Sequence, residues 1–219
     1  MKQIVILGSG GNCIDILDTI NEINLNGPAP RYSCIGFLDD SDDAQHKSFY
    51  GIKVIGKLGD ASKFKDAYFV NGIGSPNNFW KKKEIIEKAA ISLDRFETII
   101  HPSAVVSKLA VIGNGTVIFQ NVVITSNVKV GSHVIILPNS VISHDDVIGD
   151  YTCIAGGVCI SGGVTVGSHC YLGTNSSFIG NITIGNNSMI GMGSTVLKDV
   201  EANSMMVGNP AKFLRKVIS

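Results

Sequence analysis

The sequence predicts a small Rossmann-like α/β domain with a parallel sheet over residues 1–99. A parallel β-helix of hexapeptide repeats follows over 100–219 and ends in a short C-terminal tail. Three observations predict this. Charge is uneven: residues 1–99 hold 12 Lys/Arg and 13 Asp/Glu, whereas residues 100–219 hold only 6 and 5. Aliphatic residues recur every six positions through the second half, and glycine every eighteen. The first half instead alternates short apolar runs, ending in glycine or aspartate, with helical patterns.

In the first half, QIVILGSGGN reads as a buried strand running into a glycine turn, with a helix from about Cys13 to Asn26. CIGFLDD, Cys34 to Asp40, reads as a second strand ending in paired carboxylates. AYFVNGIGSP, Ala67 to Pro76, reads as a further strand and turn. It leads into an amphipathic helix over about Asn78 to Ile91, with the Lys81–Lys83 run expected on a solvated face. Strands alternating with helices argue a parallel sheet whose ligand crevice lies at the strand carboxyl ends. The fingerprint G-x-G-x-x-G would need glycine at position 13, which is Cys13, so a dinucleotide site is not expected. Gly10 and Gly11 still let backbone N–H groups approach a phosphate at a helix N-terminus, and Asp39 and Asp40 are placed to accept from a ribose or base. The other reading of these residues is a tight turn and a capped strand end.

In the second half, stepping by six from Ile100 to Val196 meets seventeen apolar residues with no slip of register. Small or β-branched residues dominate four positions after each. Gly113, Gly131, Gly149, Gly167 and Gly185 recur every eighteen, so three hexapeptides make one coil of a triangular prism. Residues eighteen apart then stack about 4.8 Å from one another, the ordinary strand spacing. Such a solenoid buries its aliphatic ladder only by stacking coil on coil. A β-sandwich would alternate with period two instead.

Bulk properties narrow the function classes. The chain has no net charge, which gives no electrostatic reason to expect nucleic acid or an anionic membrane as partner. Its five cysteines (Cys13, Cys34, Cys153, Cys159, Cys170) are odd in number and form no CxxC pair, and the chain opens without a signal-peptide pattern. A reduced, cytoplasmic protein without a metal site is expected. Gly, Asn and Ser interrupt every apolar run well short of a membrane span.

The repeat resembles the hexapeptide-repeat acyltransferases, and VGNPAKF (Val207 to Phe213) is similar to their closing segment, with Pro210 expected to stop the last coil. The resemblance implies a left-handed β-helix, against the right-handed rule for ordinary parallel crossovers. The glycine-rich first turn, the FLDD strand end and the GIG turn, joined to such a repeat, resemble bacterial nucleotide-sugar N-acetyltransferases of the PglD and NeuD type. This implies transfer of an acetyl group from acetyl-CoA to the amine of a nucleotide-linked amino sugar, such as a UDP-4-amino-4,6-dideoxy sugar. It also implies a homotrimer with acyl-CoA between neighbouring prisms. The α/β domain would hold the nucleotide sugar through Gly10, Gly11, Asn12, Asp39, Asp40 and Gly74 and reach its amine toward the prism. Relatives often carry histidine where this chain has Asn12, which leaves the acceptor sugar open. O-acetylation of a sialic-acid-type sugar and a non-catalytic sugar-nucleotide-binding or assembly role are the alternatives.

The segment SVISHDDVIGDY concentrates the charge of the prism. Between Ile100 and Leu197 only five residues are Asp, Glu, Lys or Arg, and Asp145, Asp146 and Asp150 are three of them. In hexapeptide register Ile142 points inward, while His144 and Asp145 take the third and fourth positions, at an outward corner. His133 and His169, at fourth positions, are expected to be solvated corner residues. By resemblance His144 is the general base and Asp145 the carboxylate that orients it. Gly162 lies one coil on and is the candidate backbone donor to the thioester carbonyl. Cys153, Gly173, Gly180 and Met192 are assigned with the pantetheine path, and Lys198 and Lys212 with the CoA phosphates. Asp146 stands at a fifth position, where most coils place something small or apolar. A buried carboxylate there is costly unless bonded or protonated.

Overall fold

The computed structural model describes residues 1–217. Strand β1 (Lys2–Leu7) is fully buried over its last four residues and turns at Gly8 into α1 (Gly11–Asn26). The chain returns as β2 (Tyr32–Leu38), makes the short hairpin β3 (Ser48–Phe49) and β4 (Ile52–Gly56), and re-enters as β5 (Tyr68–Asn71). Strand order is β3-β4-β2-β1-β5, with β1, β2, β4 and β5 parallel. Both α1 and β2 start two residues before their sequence-predicted positions. The expected helix over 78–91 is shorter: a 3-10 turn, Phe79–Lys81, precedes α2, Lys82–Glu87.

From Ile99 onward two-residue strands build three parallel sheets, the faces of a left-handed parallel β-helix. Face I contains Val117–Ile118, Ile135–Ile136, Cys153–Ile154 and Tyr171–Leu172. Face II contains Val123–Ile124, Val141–Ile142, Cys159–Ile160 and Ser177–Phe178. Face III contains Lys129–Val130, Val147–Ile148, Thr165–Val166 and Thr183–Ile184. Residues eighteen apart pair directly, as Ile142 does with Ile124 and Ile160. The ladder from Ile118 to Val196 is almost wholly buried, each aliphatic side chain contributing about 1.5–3 kcal/mol.

Each corner turns through a fourth-position residue in the left-handed region, and these are mostly Asn or Gly: Asn121, Asn127, Asn139, Gly157, Gly163, Asn175 and Asn181. The eighteen-residue glycines have a different cause. A Cβ on Gly113 would lie 2.5 Å from the backbone of Gly131 in the next coil, so close stacking at corner III/I excludes a side chain. After Val207 the last strand, Lys212–Lys216, returns antiparallel to Ser204–Val207, with Pro210 in the reversal.

The α/β domain seats on face I and corner III/I. Phe79 packs on Tyr171, Phe96 on His133, and the core of β1 and α1 continues into Val117, Phe119 and Ile135. His101 ties α1 to the first coil, with Nε2 2.7 Å from Glu22 Oε2.

Candidate active site

In the sheet, the chain passes from β1 to β2 on one side and later places β5 on the other, so β1 is a topological switch point. A crevice is expected at its carboxyl end. A cavity of about 590 Å³ lies there, lined by the turns after β1, β2 and β5 and roofed by Ile135, Leu137, Cys153, Ala155 and Tyr171 of the prism. All six residues assigned to the nucleotide sugar line it. Gly8, at φ +93°, makes the turn. A Cβ on Gly10 or Gly11 would meet nothing within 4 Å, so intrachain packing does not demand glycine there. The bare backbone leaves space at the N-terminus of the sixteen-residue α1, which no side chain caps. Asn12 Nδ2 donates to Gly74 O at 3.1 Å and joins the first and last turns.

The paired carboxylates are already engaged. Asp39 accepts from Ser9 Oγ (2.6 Å) and Ser41 N (2.9 Å). Asp40 accepts from Leu58 N (3.0 Å) and from Lys88 Nζ (2.9 Å). Lys88, which also lines the cavity, brings a cation that the sequence pattern alone did not single out. These bonds fix the pocket wall, and Asp40 is held below the ordinary carboxylate range despite partial burial, by Lys88 and the Leu58 N–H.

The second cluster stands at corner II/III. His144 Nδ1 lies 2.8 Å from Asp145 Oδ2, and both side chains are exposed. Asp145 adopts the left-handed conformation (φ 65°), and Asn127 of the preceding coil donates to its other oxygen at 2.7 Å. That bond and the histidine bond hold the Asp145 carboxyl below its usual range. An ionised Asp145 accepts the Nδ1 proton and leaves the Nε2 lone pair free toward solvent. The imidazole lies flat over Gly162: a Cβ there would be 2.5–2.9 Å from its ring atoms. Among the described residues no group accepts the Gly162 N–H.

Two expectations need correction. His133 is not solvated, and His169 is half-buried. His133 is 3% exposed, edge-to-face with Phe96 and stacked on Tyr151, which stacks in turn on His169, because the α/β domain covers that corner. Burial pushes His133 down to about 4. In the Lys81–Lys83 run, Lys81 and Lys83 are exposed as expected, but Lys82 is not. Lys82 shares a helical face with Phe79 and Ile86 and is fully buried, donating to His133 O and lying 3.6 Å from Cys153 Sγ. The apolar neighbours at i−3 and i+4 were the legible signal. Cys153 sits on face I beneath the α/β domain, in the wall of the first pocket. Its strand partner Tyr171 leads directly to Gly173, another of the residues assigned to CoA.

Those residues divide. Gly180 and Lys198 continue the column of His144 and Gly162 at corner II/III, while Gly173 and the 80% exposed Met192 lie at corner I/II. Lys212 is on the final strand. The first pocket reaches corner I/II at Leu137 and Ala155 and includes no residue of corner II/III. One chain therefore does not bring its pocket to its own His144.

Residues 3–89 match the PglD N-terminal domain, and residues 109–144 and 163–198 match the bacterial transferase hexapeptide repeats, well over half of the chain between them. Both halves of the chain thus match domains of the PglD-type hexapeptide-repeat transferases, which it resembles along most of its length. It is 33% identical over 122 residues to a UDP-N-acetylbacillosamine N-acetyltransferase of Bacillus subtilis (strain 168), a match covering 53% of this chain and 50% of that protein. The chain thus aligns with about half the length of that curated relative. The crystal structure of PerB from Caulobacter crescentus, in complex with CoA and GDP-perosamine, superposes with a TM-score of 0.84 at 24% identity and 98% coverage of both chains. The acetyltransferase domain of PglB from Neisseria gonorrhoeae FA1090, in complex with acetyl coenzyme A, gives 0.83 at 25% identity, covering 97% of this chain and 99% of that one. Among the described residues no helix of this chain is long and apolar enough to cross a membrane.

Proposed function

We propose that the protein transfers the acetyl group of acetyl-CoA to the amine of a nucleotide-linked amino sugar, with His144 as general base. The observation that carries this reading is the His144–Asp145 pair lying over the unclaimed N–H of Gly162. A neutral amine attacks the thioester carbonyl, and the developing oxyanion takes the Gly162 N–H as a donor. His144 Nε2 accepts the proton that the amine must lose and delivers it to the departing thiolate, giving amide and CoA thiol. Asp145 stabilises the intervening imidazolium.

The first pocket suits a nucleotide diphosphate: backbone N–H groups at the α1 terminus for phosphate, with Lys88 and the carboxylates on the opposite wall. The two sites join when a second copy sets its corner I/II, with pocket, Gly173 and Met192, against corner II/III of the first. Exposed Leu109, Ile179 and Leu197 on corner II/III favour such burial, and three copies close the ring. Lys198 and Lys212 then serve the CoA phosphates. The similarity to PerB in complex with CoA and GDP-perosamine, to the PglB acetyltransferase domain in complex with acetyl coenzyme A, and to the UDP-N-acetylbacillosamine N-acetyltransferase supports the same reading.

The test is thiol release from acetyl-CoA with a panel of UDP-, dTDP- and GDP-amino sugars. Turnover with at least one acceptor, lost in His144→Ala, is expected. No turnover with any acceptor, or near-full activity of His144→Ala, overturns the proposal. Sedimentation should give a trimer; a stable monomer at micromolar concentration removes the shared site.

A further inference from the structure

Among the described residues, Asp146 is the one carboxyl side chain buried inside the prism, at the inner side of corner II/III. Its column otherwise holds Val128, Val164 and Ile182. Its Oδ1 accepts from Val164 N at 2.8 Å, and its Oδ2 has no partner among the described residues.

Other coils show what a polar fifth position does. Thr116 accepts from Val134 N, eighteen residues on, and donates to Gly131 O, fifteen residues on, at 2.8 Å. Ser140 repeats this with Val158 N and Ala155 O, and Thr152 with Cys170 N and Gly167 O. Each hydroxyl thus grips both ends of the turn above it. For Asp146 the first half of the pattern is Val164 N, and the residue in the carbonyl position is Ser161. The turn so gripped, Ser161–Val164, contains Gly162.

We infer that Asp146 is a positioning residue for acyl transfer: its carboxyl clamps the Ser161–Val164 turn and holds the Gly162 N–H against the His144 ring. The role in transfer rests on the proposed function; the clamp itself does not. A carboxylate completes only half of the grip, because it has no hydrogen to donate. The protonated acid matches a Thr or Ser hydroxyl in full. Burial favours that form, pushing Asp146 up to about 7 against the pull of the Val164 and Ser143 N–H groups. The titratable groups facing it are His144 and Asp145 in its own turn. The coil below contributes Lys129, which is exposed, and the turn above contributes none.

Two substitutions separate this from a purely structural role. Asp146→Asn keeps an acceptor and a donor in the same shape at every pH. Asp146→Val restores the apolar column that Val128 and Val164 already form. Exchange of the 161–164 amides, thermal unfolding and steady-state kinetics would be measured on the full-length protein. Expected for Asp146→Val are an unfolding temperature equal to or above wild type, at least tenfold faster amide exchange in the turn, and a kcat reduced about tenfold with acceptor KM within twofold. Asp146→Asn should keep slow exchange and wild-type kcat at pH 6. Its kcat relative to wild type should rise at least threefold by pH 8.5, as wild-type Asp146 ionises and loses its donor. Unchanged exchange in Asp146→Val overturns the clamp. Faster exchange with unchanged kcat overturns its role in positioning, as does equal loss of kcat in both variants. Absence of acetyl transfer by wild type overturns the proposed function and with it the role in transfer, while the exchange result still decides the clamp.

Discussion

The histidines at corners III/I and II/III of one prism have opposite fates. At corner III/I, His133 and His169 take fourth positions, and the α/β domain closes over them in a stack with Phe96 and Tyr151. At corner II/III, His144 takes the third position with nothing of its own chain above it, and Asp145 holds the fourth. The same side chain is a neutral packing element at one corner and a solvent-facing base at the other. What differs is the covering domain and one carboxylate. A histidine on this scaffold acquires chemistry from what its corner is left open to.

The comparison breaks first at His144. His144→Ala should lower kcat by about 10²–10⁴-fold with the unfolding temperature unchanged, whereas His133→Asn should leave kcat within about twofold. Asn already adopts this conformation at seven other positions, so that variant isolates the stack. Next comes Gly162→Ala. The added methyl would strike the His144 ring, so the ring must swing away, and kcat should fall at least about tenfold while acetyl-CoA binding persists in calorimetry.

The buried corner should answer in stability. Burial lowers His133 to about 4 against 6.5 unfolded, so the unfolded chain binds more protons between those values. Stability from this group is full above about pH 6.5 and lost as pH falls toward 4, by about 3 kcal/mol. Chemical denaturation of His133→Asn should show that slope removed. Asp146 has the opposite sign: its contribution is present at low pH and declines as pH rises to about 7. The smallest effect is expected at the outer end of the His144 column, where Lys198→Ala should raise the KM for acetyl-CoA about two- to fivefold, more at low salt, and spare kcat.

The prism was legible because a six-residue register leaves no freedom: Ile142 and Ile148 point inward wherever the chain goes next, and His144 between them points out. The pocket residues were legible for a similar local reason, since Gly10, Asp39 and Gly74 all follow parallel strands and must end on one edge. Lys82 was misread because its charge outweighed its position between Phe79 and Ile86. That Cys153 lines the pocket was not legible, because hexapeptide register names a face but not what covers it.

Local spacing therefore determined the two-part architecture, the outward corner of His144 and Asp145, and the stacking of Gly162 above them, since each follows from backbone periodicity. Only the tertiary structure decided which faces are wet. The seating of the α/β domain on face I buried His133 and Lys82, opened the pocket at corner I/II, and left His144 one corner away. Burial beneath the Ser161–Val164 turn, rather than sequence neighbours, favours the protonated form of Asp146, whose inward direction the register had already set. Those outcomes depend on contacts between segments far apart in the chain, which no period of six or eighteen encodes.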